Sequence, residues 1–212
     1  VGYFEDSVDF DPGPGVALLV PVNYGYPDGF IQKLDSDGNF IWVKRIGGPN
    51  QDYLLGVDTD SFGNIYTTGS FRNTVDFDPG PGVYNLTASS ASCFIHKLDS
   101  NGNFVWVKEM GGNSATGGRA INVDAYGNVY TVGGFQGVVD FDPEAGIYNL
   151  TSLGSFDVFV QKLDTAGNWI WTRGVGGTGY DYGLSITTDL LGDILISGTF
   201  EDTVDFDPGI GV

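Results

Sequence analysis

The stretch TVDFDPGPGV, residues 74–83, is copied along the chain and sets the frame for the fold. Close copies are SVDFDPGPGV at 7–16, VVDFDPEAGI at 138–147 and TVDFDPGIGV at 203–212. Their first aspartates stand at 9, 76, 140 and 205, so the spacings are 67, 64 and 65 residues. A regular period of this length indicates one structural unit that is used several times.

Other residues recur with the same period. A Gly-Gly pair follows each of three regularly spaced tryptophans, which are Trp42, Trp106 and Trp171. We therefore divide the 212 residues into the end of a preceding repeat with its insert, then repeat 1, repeat 2, and repeat 3 with its insert. These parts cover 1–16, 17–83, 84–147 and 148–212.

Each unit contains four short apolar runs that two turns of one kind join in pairs. In unit one, GFIQKL and FIWVKRIGG flank DSDGN, and LLGVDT and IYTTGSF flank DSFGN. The Asp of such a turn accepts hydrogen bonds from backbone amides, and the Gly adopts the positive φ of a tight hairpin. The residues predicted for this structural role are Asp35, Gly38, Asp60, Gly63, Asp99, Gly102, Asp124, Gly127, Asp164, Gly167, Asp189 and Gly192.

The run after the first turn is apolar at consecutive positions. In unit one, Phe40 and Trp42 would face one side of a strand, and Ile41 and Val43 the other. A strand that is buried on both faces belongs to a sheet that neighbouring sheets cover, so the three periodic tryptophans are predicted to be core residues. Two hairpins per unit predict a four-stranded antiparallel blade of a β-propeller, with the insert linking one sheet to the next. An open β-solenoid has such a period too, although it would not need two hairpins in every unit.

The pattern F-[IV]-x-K-L-D-x-x-G-N-x-x-W, followed by G-G and by D-x-x-G-N-x-Y-x-x-G, resembles the bacterial SBBP-type β-propeller repeat. The resemblance implies an all-β fold with three blades and part of a further one, and a scaffold role in secreted or cell-surface proteins. The VDFDPGPGVYNLT insert is longer than the usual link between such blades and is similar in style to large surface proteins of Bacteroidota. Since a closed propeller needs at least about four blades, we expect a segment of a larger propeller or of an open array.

The two aspartates of each insert would share one face of an extended segment, while Val75 and Phe77 point inward. Paired carboxylates repel each other unless they are solvated, protonated or bridged by a cation, and Ca²⁺ prefers carboxylate and carbonyl oxygens. Two interpretations stay open, a calcium site and a solvated structural turn. The aspartates concerned are Asp9, Asp11, Asp76, Asp78, Asp140, Asp142, Asp205 and Asp207.

No residue is predicted to be catalytic, and we expect a protein that is not an enzyme. His96, the single histidine, stands where the sister repeats have Gln32 and Gln161, so the fold requires only a polar side chain there. Cys93, the single cysteine, replaces small or apolar residues and has no basic neighbours in sequence to activate its thiol. Aspartates on one strand face do not provide the opposed carboxyls of a glycoside hydrolase.

The charge of the chain limits its partners. Its 27 acidic and 9 basic residues give a net charge of −18, which repels phosphate backbones and anionic lipid. We therefore expect no nucleic-acid binding. The longest apolar run, Val16 to Val22, is far shorter than a membrane span, so we expect no membrane insertion. A single cysteine excludes an internal disulfide framework.

Short motifs point to glycosylation. Ser7, Thr165 and Thr203 each follow an Asp, in a context that resembles the O-glycosylation sequon of Bacteroidota surface proteins. Asn85 and Asn149 each begin an Asn-Leu-Thr sequon for N-glycosylation.

Taken with the resemblance, these features predict a non-enzymatic extracellular scaffold within a large bacterial surface or secreted protein. Its partners would be other repeats of the same longer chain and proteins or glycans at the cell surface, and its role adhesion. Two alternatives stay open. The first is a subunit of an open filament or stalk, and the second is a glycan-binding accessory domain of a secreted enzyme.

Overall fold

The computed structural model describes residues 1–206, in which all regular structure is β. This part of the chain has no helix that could cross a membrane. The strands are β1 (Gly2–Phe4), β2 (Val8–Asp9), β3 (Leu18–Leu19), β4 (Asp28–Leu34), β5 (Phe40–Ile46), β6 (Tyr53–Thr59), β7 (Ile65–Asp76), β8 (Asn85–Leu98), β9 (Phe104–Met110), β10 (Thr116–Val123), β11 (Val129–Phe135), β12 (Val138–Asp140), β13 (Asn149–Thr151), β14 (Asp157–Leu163), β15 (Trp169–Gly177), β16 (Tyr182–Thr188), β17 (Ile194–Thr199) and β18 (Val204–Asp205).

Antiparallel sheets follow one another along the chain. β6, β7, β8 and β9 form a four-stranded sheet in sequence order, and β10, β11, β14 and β15 form the next, to which β18 adds at the β15 edge. A three-stranded sheet, β1-β4-β5, precedes them and a two-stranded sheet, β16-β17, follows. Neighbouring sheets pack on each other, since β10 contacts β6, β7 and β8, and β16 contacts β10, β11 and β14. The prediction of four-stranded antiparallel blades is confirmed.

The sheet boundaries are shifted by one hairpin from the predicted blade boundaries. The two hairpins that the sequence analysis assigned to one blade lie in different sheets, because β4 and β5 belong to one sheet and β6 and β7 to the next. β7 instead pairs with β8 across the insert, with Thr67 opposite His96. The prediction that the insert links one sheet to the next is therefore wrong, since it connects the second and third strands of a single sheet.

The insert is an extension of that β7–β8 hairpin. Thr74 lies opposite Thr87, and Asp76 lies opposite Asn85, so the segments on either side of the PGPG turn pair with each other. The corresponding segments of the other copies pair in the same way as β2–β3 and β12–β13. The length of the insert thus reflects a second, smaller hairpin rather than a crossover.

The insert also contacts the preceding sheet through the Gly-Gly pairs. Single β-bridges join Gly47 to Asp76 and Gly111 to Asp140, and Gly176 pairs with Asp205 in the same way. A Cβ atom at the second glycine of the first pair would collide with the carbonyl oxygen of Thr74. The Gly-Gly pairs are therefore where the backbone of the next sheet crosses closely over the outer strand.

The predicted burial of the tryptophan strands on both faces is correct only in part, since Trp106 packs on one apolar cluster while Val107 lies in another. Ile41, Val105 and Ile170 are exposed, because a β-bulge takes each of them out of register with the neighbouring strand. These strands, β5, β9 and β15, are the last full-length strands of their sheets, and the strand buried along its whole length is β11. The tryptophans are half-buried and pack at the margins of the three apolar clusters, which are centred on residues such as Phe94, Phe159 and Val132.

Candidate functional site

The aspartates of the insert stabilise its turn by accepting hydrogen bonds from backbone amides. Oδ1 of Asp76 accepts hydrogen bonds from the amides of Asp78 at 3.0 Å and of Tyr84 at 2.8 Å. Oδ1 of Asp78 accepts one from the amide of Gly80 at 2.8 Å. Phe77, which lies between the two aspartates, is fully buried. The alternation of inward and outward side chains is therefore as predicted.

Two other copies repeat this geometry. Oδ1 of Asp9 accepts hydrogen bonds from the amides of Ala17 and Asp11, and these bonds hold the pKa of Asp9 below its usual range. Oδ1 of Asp140 accepts the amides of Asp142 and Tyr148 at 3.0 and 2.9 Å. The fourth copy is described only as far as residue 206, so Asp205 ends β18 while Asp207 lies outside the described residues.

Calcium at the inserts stays a prediction. Within residues 1–206, no three His, Cys, Asp or Glu side chains come together as a metal-binding group. Basic side chains lie nearby instead, since Lys44 and Arg45 line the same cleft as Asp76 and Asp78. Oδ1 of each aspartate already accepts amides, so Oδ2 is the atom that each could offer to a cation.

The six D-x-x-G turns form with the geometry expected of their residues. In the first, Oδ1 of Asp35 accepts the amide of Asn39 at 2.8 Å and that of Asp37 at 2.9 Å, and Gly38 has φ +83°. Hydrogen bonds from the side chain and the amide of Asn39 hold the pKa of Asp35 below its usual range. The equivalent turns open with Asp60, Asp99, Asp124, Asp164 and Asp189, and contain Gly63, Gly102, Gly127, Gly167 and Gly192 at φ +78° to +86°.

The single histidine and the single cysteine are buried in the sheets. His96 lies between Phe77 and Phe104, at ring-centroid distances of 5.7 and 5.8 Å, and burial lowers its pKa to about 3. The histidine is therefore neutral at physiological pH. Cys93 is fully buried, and burial raises the pKa of its thiol to about 12. Both side chains fill space in the sheet core.

The predicted glycosylation residues Ser7, Thr165 and Thr203 are exposed, as are Asn85 and Asn149. Exposure makes each side chain accessible to a modifying enzyme. Glycosylation itself stays a prediction.

A groove of about 340 Å³ is a site that the sequence analysis missed. It lies where the first strands β6, β10 and β16 of three successive sheets begin, together with β1, the middle of β7 and the end of β11. We call it the tyrosine groove, and its aromatic and basic lining residues are Tyr3, Tyr53, Phe156, Tyr182, Arg72 and Arg119.

The aromatic residues of the tyrosine groove are arranged in two pairs. Tyr3 meets Tyr53 edge to face at 4.9 Å between ring centroids, and Phe156 stacks on Tyr182 at 5.3 Å. Burial raises the pKa of Tyr53 and Tyr182, so both phenols stay protonated and can donate hydrogen bonds. Each ring is half-buried or exposed, which leaves part of its surface open to a ligand.

Two arginines place positive charge in the lining of the tyrosine groove. Arg72 and Arg119 are exposed, and neither guanidinium forms an ion pair within residues 1–206. Arg119 lies over the ring of Tyr182, with its guanidinium carbon 5.7 Å from the ring centroid. Among the described residues, no carboxylate side chain lines the groove itself, although, after burial, the nearby carboxylates of Glu5 and Asp52 also raise the pKa of Tyr53.

A comparison of the repeats within the chain could have revealed this groove. Gly117 occupies the position that Tyr53 and Tyr182 hold in the flanking sheets. Arg119 is the extra residue of a β-bulge, at the position where the flanking inner strands have leucines. Only the sheet topology brings these departures from the repeat together.

The buried side chain of Asp52 fixes the backbone of Arg72, which lines the tyrosine groove, to the backbone of Gly48. Oδ1 of Asp52 accepts the amide of Arg72 at 3.1 Å, and Oδ2 accepts the amide of Gly48 at 2.7 Å. Burial raises the pKa of Asp52 to about 7, against these hydrogen bonds, which lower it. Asp181 makes the equivalent bonds to the amides of Gly177 and Glu201.

Antiparallel sheets that pack on each other, built from a unit that recurs every 64 to 67 residues, have the architecture of β-propeller blades. The family model of the SBBP β-propeller repeat matches residues 41–70. A relative from Acanthamoeba polyphaga mimivirus, described as an uncharacterized WD repeat-containing protein L264, is 29% identical over 196 residues. The match covers 79% of this chain but only 14% of the length of that relative.

Proposed function

We propose that this chain is a non-enzymatic segment of a β-propeller scaffold in a larger secreted or cell-surface protein, where it serves adhesion through protein or glycan contacts. The repeat architecture supports a scaffold or interaction role, because repeated sheets extend a binding surface without an active site of their own. Its acidic surface and its single buried cysteine suit a soluble domain that does not depend on disulfides.

The observation that carries this proposal is the packing of successive antiparallel sheets, in which the same side-chain contacts recur from one copy of the motif to the next. The motif places two phenylalanines edge to face in each copy, and in the second copy Phe71 and Phe77 are buried beneath Phe94 of β8. In the last copy Phe200 and Phe206 form the same pair at 5.2 Å. We propose that further repeats of a longer chain extend this packing.

Hydrogen–deuterium exchange tests this proposal at β16 and β17. We expect the amides of residues 194–199 to exchange slowly in the intact protein and quickly in the 212-residue chain alone, because an edge strand without a partner is open to water. Equal, fast exchange in both would contradict the scaffold proposal. Protease treatment of intact cells tests the location, since peptides of this segment recovered only after lysis would exclude an extracellular role.

We further propose that Ca²⁺ binds the inserts through Oδ2 of the paired aspartates. A melting curve with millimolar Ca²⁺ would then shift upward relative to EDTA, because a ligand of the folded state stabilises that state. Asp78→Asn, which keeps Oδ1 as an acceptor, should reduce the shift. An equal shift with Mg²⁺ or with the variant would dispose of this site.

A further inference from the structure

We propose that the tyrosine groove binds an acidic saccharide, namely a sugar ring that carries a carboxylate, such as a uronic-acid residue of a glycan. The inference rests on the proposed interaction role and names the site and the ligand class. It draws on three observations, which are the departures from the repeat, the two unpaired guanidiniums and the four aromatic rings.

The departures from the repeat converge on this one groove. Gly117 stands where the flanking sheets have tyrosines, and its missing side chain leaves space between Tyr53 and Tyr182. A Cβ atom at Gly117 would meet Ser70 at an ordinary 3.4 Å, so neither close packing nor a positive φ requires glycine there. The glycine therefore opens the groove rather than serving the fold.

The arginines are also departures from the repeat. Arg119 replaces the leucines of the flanking inner strands, and its β-bulge turns the side chain toward the groove lining. Arg72 stands where the other copies have Glu5, Gln136 and Glu201. Two of the nine basic residues of the chain thus lie at one groove, at positions where the fold accepts apolar, neutral or acidic side chains.

Unpaired guanidiniums favour a carboxylate ligand. The planar guanidinium can donate two parallel hydrogen bonds to a carboxylate, and such charge-assisted bonds are the stronger ones in proteins. No carboxylate of the described residues lines the groove to satisfy them. Because the net charge of −18 repels anions at longer range, an acidic ligand would be held by these local groups and not by the overall field.

The size and the rings of the groove favour a saccharide over an acidic peptide. A volume of about 340 Å³ is at the small end of ligand sites and suits one or two sugar rings. Aromatic side chains with a polar tip, such as Tyr53 and Tyr182, offer an apolar face to a ring and a hydroxyl to its substituents. An acidic peptide would use only the guanidiniums of Arg72 and Arg119 and would leave the aromatic rings of the groove without a role.

Isothermal titration calorimetry with tetragalacturonate tests the proposal directly. We expect saturable binding by the chain, no binding of a neutral galactose tetrasaccharide, and much weaker binding of tetraglutamate. Arg119→Leu, Arg72→Gln and Gly117→Tyr place the residue of a sister repeat at each position, so the fold is retained. Each should weaken the affinity at least about tenfold, which matches the loss of a charge-assisted contact or of the open space.

The control variant is Lys44→Gln, which removes one positive charge at the separate cleft of the insert and should leave the affinity unchanged. No saturable binding of tetragalacturonate would overturn the inference, as would equal binding of tetraglutamate or unchanged affinity in the three groove variants. These results would leave the scaffold proposal standing, because it depends on protection of β17 in the intact protein. Lack of that protection would leave the groove measurement unaffected.

Discussion

Oδ2 of Asp58, in the inner strand β6, accepts a hydrogen bond from the backbone amide of Val123, 65 residues further on in the inner strand of the next sheet, at 2.7 Å. The side chain of Asn122 donates to the same oxygen at 3.1 Å and accepts from the hydroxyl of Thr188 in the third sheet at 2.8 Å. A chain of hydrogen bonds therefore connects three successive sheets.

We expect Asp58→Ala to destabilise the chain by about 1–3 kcal/mol, because a partly buried amide then loses a charged acceptor. Chemical denaturation would measure the change in the free energy of unfolding. Asp37→Ala, at an exposed position where the side chain accepts no hydrogen bond in the described structure, is the matched control and should have no effect. An equal loss in both variants would show that Asp58 does not join the sheets.

Gly69→Ala tests the close approach of two strands inside a sheet. A Cβ atom at Gly69 would collide with the carbonyl oxygen of Tyr53, and Gly133 and Gly198 stand in the same relation to the next two inner strands. We expect a loss of about 1–3 kcal/mol from this overpacking, measured as a lower melting temperature. Gly174→Ala, whose Cβ would meet its nearest atom at 3.5 Å, should be close to neutral. A neutral Gly69→Ala would contradict the register of β6 and β7.

Stability is expected to depend on pH between about 4 and 7. Burial raises the pKa of Asp52 from 3.8 to about 7, so the folded state keeps a proton that the unfolded chain has released. The stability from this group is thus present below about pH 4 and is lost as the pH rises to 7, on the order of 4 kcal/mol if Asp52 titrates alone. Burial raises the pKa of Asp28 and Asp157 as well, which adds a change of the same sign.

The turn aspartates act in the opposite sense at lower pH. Hydrogen bonds hold the pKa of Asp35 and Asp9 below 3.8, so their contribution is lost as the pH falls through their folded pKa. Stability should therefore be highest near pH 4 to 5. Denaturation across pH 3–8 measures this profile, and Asp52→Asn should flatten the slope from 4 to 7. The control Asp37→Asn should keep the slope of the free energy of unfolding against pH. If Asp52→Asn also keeps that slope, Asp52 is not its source.

The bulged outer strand gives a matched pair of valines in β9. Val107 is buried in the apolar cluster of the first four-stranded sheet, whereas Val105 is the exposed residue of the bulge. We expect Val107→Thr to cost about 1–3 kcal/mol, because it buries a hydroxyl, and Val105→Thr to stay within about 0.5 kcal/mol. Similar losses at both positions would contradict the bulge, which leaves the side chain of Val105 in contact with solvent.

Much of the fold could be predicted from the sequence because the hairpin turns are recognisable from their local residues alone. An Asp that accepts amides and a Gly with positive φ, as at Asp99 and Gly102, define each hairpin locally. Which two hairpins share a sheet could not be predicted. Two hairpins of the same kind alternate along the chain, and either of the segments between them could be the connection from one sheet to the next. The length of the insert favours a link between sheets, whereas its two flanks pair with each other, with Asp76 opposite Asn85.

The candidate site was harder to predict than the strands. The repeated aspartates suggest a site because they recur, whereas in the structure their Oδ1 atoms accept hydrogen bonds from amides of the turn itself. The tyrosine groove depends instead on residues that break the repeat, such as Gly117 and Arg119, and these meet only when successive sheets are packed. In a repeat protein, departures at aligned positions are therefore a better guide to a binding site than the recurring motif.

One blade combines the second hairpin of a repeat with the first hairpin of the next. Nuclear Overhauser contacts between the backbone protons of Thr67 and His96, which are opposite each other in β7 and β8, are the decisive measurement of this pairing. We expect such contacts between residues 65–71 and 92–98 and, beyond a break in the ladder, between residues 73–76 and 85–88. Contacts that instead pair β5 with β6, with none between Thr67 and His96, would contradict it.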